Sequence, residues 1–387
     1  VYELLDQLGV RWLYPDSHGD YVPRLRRFPR SILPIRYRPP FRTRYANFPA
    51  DRLASKTNSP DSRLFFVRHH FNNSWGNGLS STLSGIPPRM NLGFGYIHNF
   101  DRIIPESVIE KHPEWTPGPY RKGWTKVPCT SHPGVISHVV ERIKSMSKGR
   151  PELQGFSIHP KDVPAFCECE RCTGLFGQPR KVQPEKPDEL ALAFDYSNHY
   201  FHLIGEVAKQ IQQELPGKGI FALAYANHGK PPSAIEKLPA NVMVDYTLHW
   251  KHNLPAGSPK NLGYKNEIEA WTAKCKLPGI YDYVLIHTDT TSGRPAGEWY
   301  TLVPLVSAIA DHHRFFQKLG MTSVGTQAMG DICRSSPWSV YAWARTAWKP
   351  GEPTADVLDD FFEGFYLDAA RPMLKFYRTL EDHIIKN

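Results

Sequence analysis

The sequence predicts an α/β chain, a (β/α)8 TIM barrel preceded by the end of a small α/β domain. Three observations carry this expectation. From Phe41 onward, short apolar runs suited to strands alternate with amphipathic runs suited to helices, the order of βα units on a parallel sheet. Acids, histidines and aromatic residues recur just past the ends of the strand runs, where such a barrel keeps its chemistry. The 387 residues are 41% apolar, enough for a large core.

The elements follow in order. Tyr2 to Leu8 has helical apolar spacing, Gly9 is a stop, and Val10 to Tyr14 alternates as a strand does. A polar, proline-punctuated exit follows, and Pro39-Pro40 marks a boundary between residues 1–38, the end of the small domain, and residues 39–387, the barrel with its C-terminal helices. Strands are expected at Phe41–Ala46, Leu92–Ile97, Gly155–Ile158, Ile220–Tyr225, Val242–Tyr246, Gly279–Val284 and Ser323–Met329. Helices are expected at Pro133–Met146, Asp195–Glu214, Asn266–Lys274, Leu302–Leu319, Ser339–Trp348, Ala355–Tyr366 and Arg371–Ile385. Pro133 after Thr130 and Ser131 suits a first helical turn. Leu64 to Val67 reads as strand-like, and Gly177 to Glu189 as a long polar loop, a lid or insertion.

The formal charge is +9, part of it in the run Arg24 to Arg44. Such a balance favours anionic partners, acidic or sulfated sugars among them, against the plainer alternative of a solvated basic surface. No arginine-rich helix or nucleic-acid module is present, no apolar run is long enough to span a bilayer, and no signal peptide is visible. The abrupt opening VYELLDQLGVRWLYP reads as the middle of a domain, so further residues are expected upstream.

The chain is organised around Gln154 to Cys172, QGFSIHPKDVPAFCECERC: a short strand, a turn carrying Asp162, then three cysteines spaced C-x-C-x-x-C. Cys167, Cys169 and Cys172 read as a structural clamp on that loop. Three thiolates need a fourth ligand such as Cys129 or a histidine to hold zinc; one or two disulfides are the alternative. No catalytic metal and no cofactor is expected: H-E-x-x-H, G-x-S-x-G, Walker and dinucleotide-loop patterns are all missing.

At the strand ends stand His98 and Asn99, His159 and Asp162, Tyr225 and Asn227 (with His228), Asp245 with His249 and Trp250, Asp282 with Tyr283, and Gln327 with Asp331. Two carboxylates facing one bond are the minimal set for glycoside hydrolysis, one held protonated to donate to the leaving oxygen. Asp162, Asp331 and Asp282 are the candidates for these roles. His98, Asn99, His159, Tyr225, Asn227, Asp245, His249, Trp250, Tyr283 and Gln327 are the candidate substrate contacts, and Trp299 and Trp338 are further stacking platforms. His69 to Trp75 reads as another rim of the cleft. For each of these the competing role is structural: a cap, a turn, or a satisfied core residue.

Five stretches together resemble a known family: YELLDQLGVRWLYPDSHGDYVP, HPEW with CTSHPGVISHVVERIK, FSIHPKDVPAFCECERC, LAYANHGKPP and YAWARTAWKPGEPTADVLDDFFEGFYLDAARPM. They look like the 4838 domain of unknown function, placed among bacterial TIM-barrel glycoside hydrolases and related to endo-β-N-acetylglucosaminidases and α-glucuronidases. The resemblance implies a catalytic (β/α)8 barrel and a small α/β domain before it. It also implies that Asp162 holds the place of the family's turn aspartate, and Asp331 that of a glutamate near the last strand. A secreted or periplasmic location is expected. The expected activity is glycoside hydrolysis of a complex or acidic glycan. A carbohydrate-binding barrel without catalysis is the alternative, and a polysaccharide lyase with a tyrosine or histidine base ranks third.

Overall fold

The computed structural model describes residues 1–15, 17–24, 37–47, 60–72, 92–95, 97–121, 125–162, 164–182, 193–249, 252–285, 305–328 and 335–386. The strands are β1 (Arg11–Trp12), β2 (Asp20–Tyr21), β3 (Thr43–Asn47), β4 (Leu92–Gly93), β5 (Gly155–Ser157), β6 (Arg180–Lys181), β7 (Phe194–Asp195), β8 (Gly219–Ala224), β9 (Val242–Leu248), β10 (Leu277–Leu285) and β11 (Ser323–Ala328). The helices are α1 (Tyr2–Gln7), α2 (Pro60–Arg68), α3 (Phe100–Ile103), α4 (Glu106–Ile109), α5 (Pro133–Gly149), α6 (Glu170–Phe176), α7 (Ser197–Glu214), α8 (Leu262–Lys274), α9 (Val306–Lys318), α10 (Pro337–Trp348), α11 (Thr354–Tyr366) and α12 (Ala370–Lys386). Each of the seven expected barrel strands and seven expected helices has its counterpart, with the second strand cut to Leu92–Gly93.

The chain divides into two compact units. The first holds residues 1–88, 248–265 and 281–387. Here β3 pairs in parallel with β11, Thr43 opposite Ser323 through Asn47 opposite Gln327. In the sheet order β10 is the other neighbour of β11. Gly325 is required where it stands: a Cβ there would meet the Tyr45 ring at 1.9 Å. The apolar core gathers Leu13, Trp338, Tyr341, Phe361, Phe362 and Tyr377 from the N-terminal segment and the last three helices. Ion pairs fasten the same elements: Arg11 to Asp360 at 2.8 Å, Arg345 to Asp6 at 2.6 Å and to Glu352, and Lys349 to Glu3.

The second unit holds residues 89–247 and 266–280. Its parallel strands run in the order β9-β8-β5-β4. β8 buries Ile220 to Ala224 without a break, the pattern of a strand covered on both faces. α5 and α7 bring apolar stripes, Val135, Val139 and Ile143 from one and Phe201, Ile204 and Val207 from the other. α5 starts as its sequence implies, with Pro133 in the first turn and the His132 ring accepting the Gly134 N–H. Gly155 allows the close approach of neighbouring strands, since a Cβ there would lie 2.7 Å from the Gly219 carbonyl oxygen.

Two expectations are corrected. Leu64 to Val67 is not a strand but the second half of α2; so short an apolar run carries no period that separates the two. Gly177 to Glu189 is not loop throughout: β6 pairs antiparallel with β7, Arg180 opposite Asp195, while residues 183–192 lie outside the described residues. No described helix is long and apolar enough to cross a membrane.

Candidate functional site

In the second unit β4, β5 and β8 are adjacent and parallel, so the loops leaving their C-terminal ends emerge along one edge. Those loops bring together His98, His159, Asp162 and Tyr225. The His98 Nε2 lies 3.1 Å from the Asp162 Oδ1. Its Nδ1 lies 2.9 Å from the Pro160 carbonyl oxygen. A carbonyl only accepts, so Nδ1 carries a proton, and an ionised Asp162 calls for a second proton on Nε2. His98 is therefore held as an imidazolium between two acceptors.

The electrostatics agree. Burial works against the charged His98 ring, but the Asp162 hydrogen bond, the Pro160 carbonyl and the Asp162 charge outweigh it and raise its pKa. For Asp162 the His98 hydrogen bond is the largest influence. It acts against burial, is joined by the His98 charge and a Tyr225 hydrogen bond, and leaves the carboxyl below its ordinary range. Asp162's share of stability is thus present above 3.8, its unfolded value, and is lost as pH falls through the depressed folded one. His98's share is complete below 6.5 and is lost as pH rises through the raised folded value. The pair is intact in mild acid. Asp162 is 67% exposed, so its carboxylate faces solvent while the histidine holds it from behind.

Backbone strain concentrates here. His98 and Ala226 both take a φ of 49°, in the left-handed region that costs an L-residue on the order of 1 kcal/mol. Behind them sits a buried layer. The His159 Nδ1 accepts the His98 main-chain N–H at 3.1 Å, and burial, then the His228 and His98 charges, keep the ring neutral. Tyr200 donates its hydroxyl to the Ile158 carbonyl at 2.7 Å.

Asn99 and Asn227 belong to this scaffold, which corrects their expected role as substrate contacts. Asn99 is fully buried; it donates to the Ser157 carbonyl at 3.0 Å and accepts the His159 N–H at 2.9 Å. Asn227 donates to the Pro164 carbonyl at 2.8 Å, bracing the loop that carries Asp162. Asp245 is likewise fully buried within β9.

The first unit holds the other candidates. The Tyr281 hydroxyl donates to Gln327 at 3.2 Å, and the exposed His249 stacks on Tyr283 at 4.7 Å. Asp282 points the other way, as strand alternation requires. It lies against Thr326, the Val284 N–H and Trp343 of α10, nearly inaccessible, and burial pushes its pKa up to about 7. That pKa suits a general acid, but the position does not: Asp282 faces the helix layer and cannot reach a substrate. Trp338 and His69 are also core residues, Trp338 beside Phe362 and His69 bonded to the Trp12 carbonyl at 2.8 Å. Asp331, Trp250 and Trp299 lie outside the described residues.

Sequence reasoning missed Glu168, which it passed over between two cysteines. Its carboxylate is paired with Arg121 at 2.8 Å and accepts the Tyr196 hydroxyl. The cysteines themselves come together as expected, with Cys129 as the fourth member of the group. Beside them opens a cleft of about 590 Å³ lined by Cys129, Cys169, His132 and Glu168.

The family profile described as "Domain of unknown function (DUF4838)" matches residues 20–379. No curated protein matches the chain. Among solved structures it is similar to a glycoside hydrolase family 5 enzyme from Prevotella bryantii B14, with 11% identity and a TM-score of 0.36 over 79% of this chain and 96% of that one. It is also similar to a GH138 enzyme targeting pectin rhamnogalacturonan II, with 13% identity and a TM-score of 0.28 over 90% of this chain and 44% of that one.

Proposed function

The chain belongs to the DUF4838 family, defined by sequence and not by reaction, and from its geometry we propose that it is a glycoside hydrolase. In this reading the seven strands belong to a (β/α)8 barrel, and the substrate is a complex glycan or polysaccharide met outside the cytoplasm. The +9 charge favours an anionic one.

One observation carries the proposal: an exposed carboxylate, Asp162, kept ionised by an imidazolium on strained loops at the C-terminal edge of parallel strands. An ionised carboxylate is what the base, the nucleophile or the stabiliser of an oxocarbenium-like state must be. Asp162 takes one of these roles rather than that of proton donor. His98 fixes its charge and direction, and Tyr225 helps keep its pKa down. With Asp282 turned into the core, Asp331 is the remaining candidate for the donor.

A second reading, a barrel that binds glycans without cleaving them, is favoured by one fact. Among the described strand-end acids, Asp162 is ionised by pairing, while Asp245 and Asp282 are buried. One experiment separates the two: product release from neutral, N-acetylated, uronic and sulfated glycans by the wild type and by Asp162→Asn. Hydrolysis of one class is expected, falling ~10²–10⁴-fold in the variant with its thermal melt unchanged. Glycan affinity without products in the wild type would select the binding reading. Full turnover in Asp162→Asn would remove that residue from the chemistry.

A further inference from the structure

The four clustered cysteines have a geometry that the proposed hydrolysis does not use. Cys129 precedes α5, Cys167 lies in the loop after β5, and Cys169 and Cys172 stand at the start of α6. Their sulfurs all lie within 4.8 Å of one another; Cys129 is 3.5 Å from Cys172 and 3.8 Å from Cys169. A disulfide needs about 2.05 Å between sulfurs. A tetrahedron of thiolates around zinc, with Zn–S bonds of about 2.3 Å, has edges of about 3.8 Å. The two Cys129 separations lie at that edge and none of the six exceeds it by more than about 1 Å, all far beyond a disulfide bond.

The surroundings fit the same ligand. The Ser131 hydroxyl lies 3.3 Å from the Cys129 sulfur and 3.2 Å from the Cys172 sulfur, and can donate to either. Such donors stabilise thiolates, and outer partners of this kind orient metal ligands. Three of the cysteines are buried, walled by Tyr120 and Phe176, while the half-buried Cys169 borders the open cleft and leaves a way in for an ion. Without a cation, four sulfurs this close could not all be thiolates, since like charges at this range repel strongly.

We propose that Cys129, Cys167, Cys169 and Cys172 bind one structural Zn²⁺ tetrahedrally, with Ser131 as an outer-shell donor. All four positions are protein sulfurs, which leaves no open site for a water and marks the ion as structural rather than catalytic. Its binding displaces the four thiol protons. The ion joins the segment before α5 to the loop that begins at Asp162, a junction already marked by the Val127 N–H bonded to the Ala165 carbonyl at 3.0 Å. The site stands whether or not the chain cleaves glycosides.

The test is metal content of the full chain, read by elemental mass spectrometry beside a count of thiols under denaturing conditions with chelator. One zinc per chain is expected, together with all 6 cysteines as free thiols. Ser131→Ala keeps every sulfur and is expected to lower zinc affinity on the order of 10–100-fold against a chromophoric chelator. Cys169→Ser, at the most accessible ligand, should lose at least as much. Absence of zinc with four thiols missing would mean two disulfides and overturn the proposal. So would six free thiols in a protein that takes up no added zinc, or an unchanged affinity in both variants. One iron in place of zinc would overturn the choice of metal.

Discussion

His98 sits between a main-chain carbonyl and a carboxylate, and that placement makes Asp162 an anion rather than an acid. The sequence shows the two residues at neighbouring strand ends but not which hydrogen bonds each accepts, so it could propose Asp162 as catalytic without settling its charge. Asp282 shows the same limit from the other side. Its place in YDY marks a strand, yet which face each side chain takes depends on register, and one step turns a cleft residue into a core residue. Asp282→Asn tests this. The folded carboxyl has a pKa raised to about 7 from 3.8, so its contribution is present at low pH and lost as pH rises through 7. Removing the charge should leave turnover intact and stabilise the protein above pH 8, on the order of 2–4 kcal/mol from the size of the shift. Calorimetry at pH 4.5 and pH 8.5 reads the difference, the gap between variant and wild type being small at the first and full at the second; a dead enzyme with an unchanged melt would return Asp282 to the reaction.

At the scale of elements, β5 and the loop after it are fixed from several directions: strands on both sides, Asn99 on the main chain at Ser157 and His159, Asn227 on Pro164, and the cysteine cluster beyond. Much of this was legible. The apolar run, the acid-bearing turn and the cysteine spacing are contiguous in sequence, and local patterns of that kind survive folding. The bracing asparagines were not, because the groups they bond lie some 60 residues away. Gly155→Ala should show how tight the register is. Its new Cβ would press on the Gly219 carbonyl, and a destabilisation of about 1–3 kcal/mol is expected in denaturant titration. A midpoint within error of the wild type would mean that the strands can part without cost.

Over the whole molecule the buried histidines decide the response to acid. Burial is the chief reason that His69, His228 and His313 have pKa values of about 3, His312 about 4, and His159 one well below 6.5. Unfolding lets each take up a proton below 6.5, so the unfolded state binds more protons and stability rises with pH across that range. Asp282 opposes them with one proton and is outnumbered. Melting temperature should therefore fall steeply below about pH 6, each net proton contributing about 1.4 kcal/mol per pH unit; a flat profile from pH 7 to pH 4 would contradict the burial of these rings. The ion pairs of the first unit have a consequence for synthesis. Arg11 meets Asp360 across 349 residues, and Glu3 of α1 meets Lys349, the residue just after α10. On the ribosome the opening segment meets α2 and His69 early, but its ion-pair partners near the last helices emerge only at the end, whereas the second unit is nearly continuous in sequence and can assemble earlier. A nascent chain stalled before residue 337 would expose Leu13 and the other apolar groups that α10 and α11 later cover.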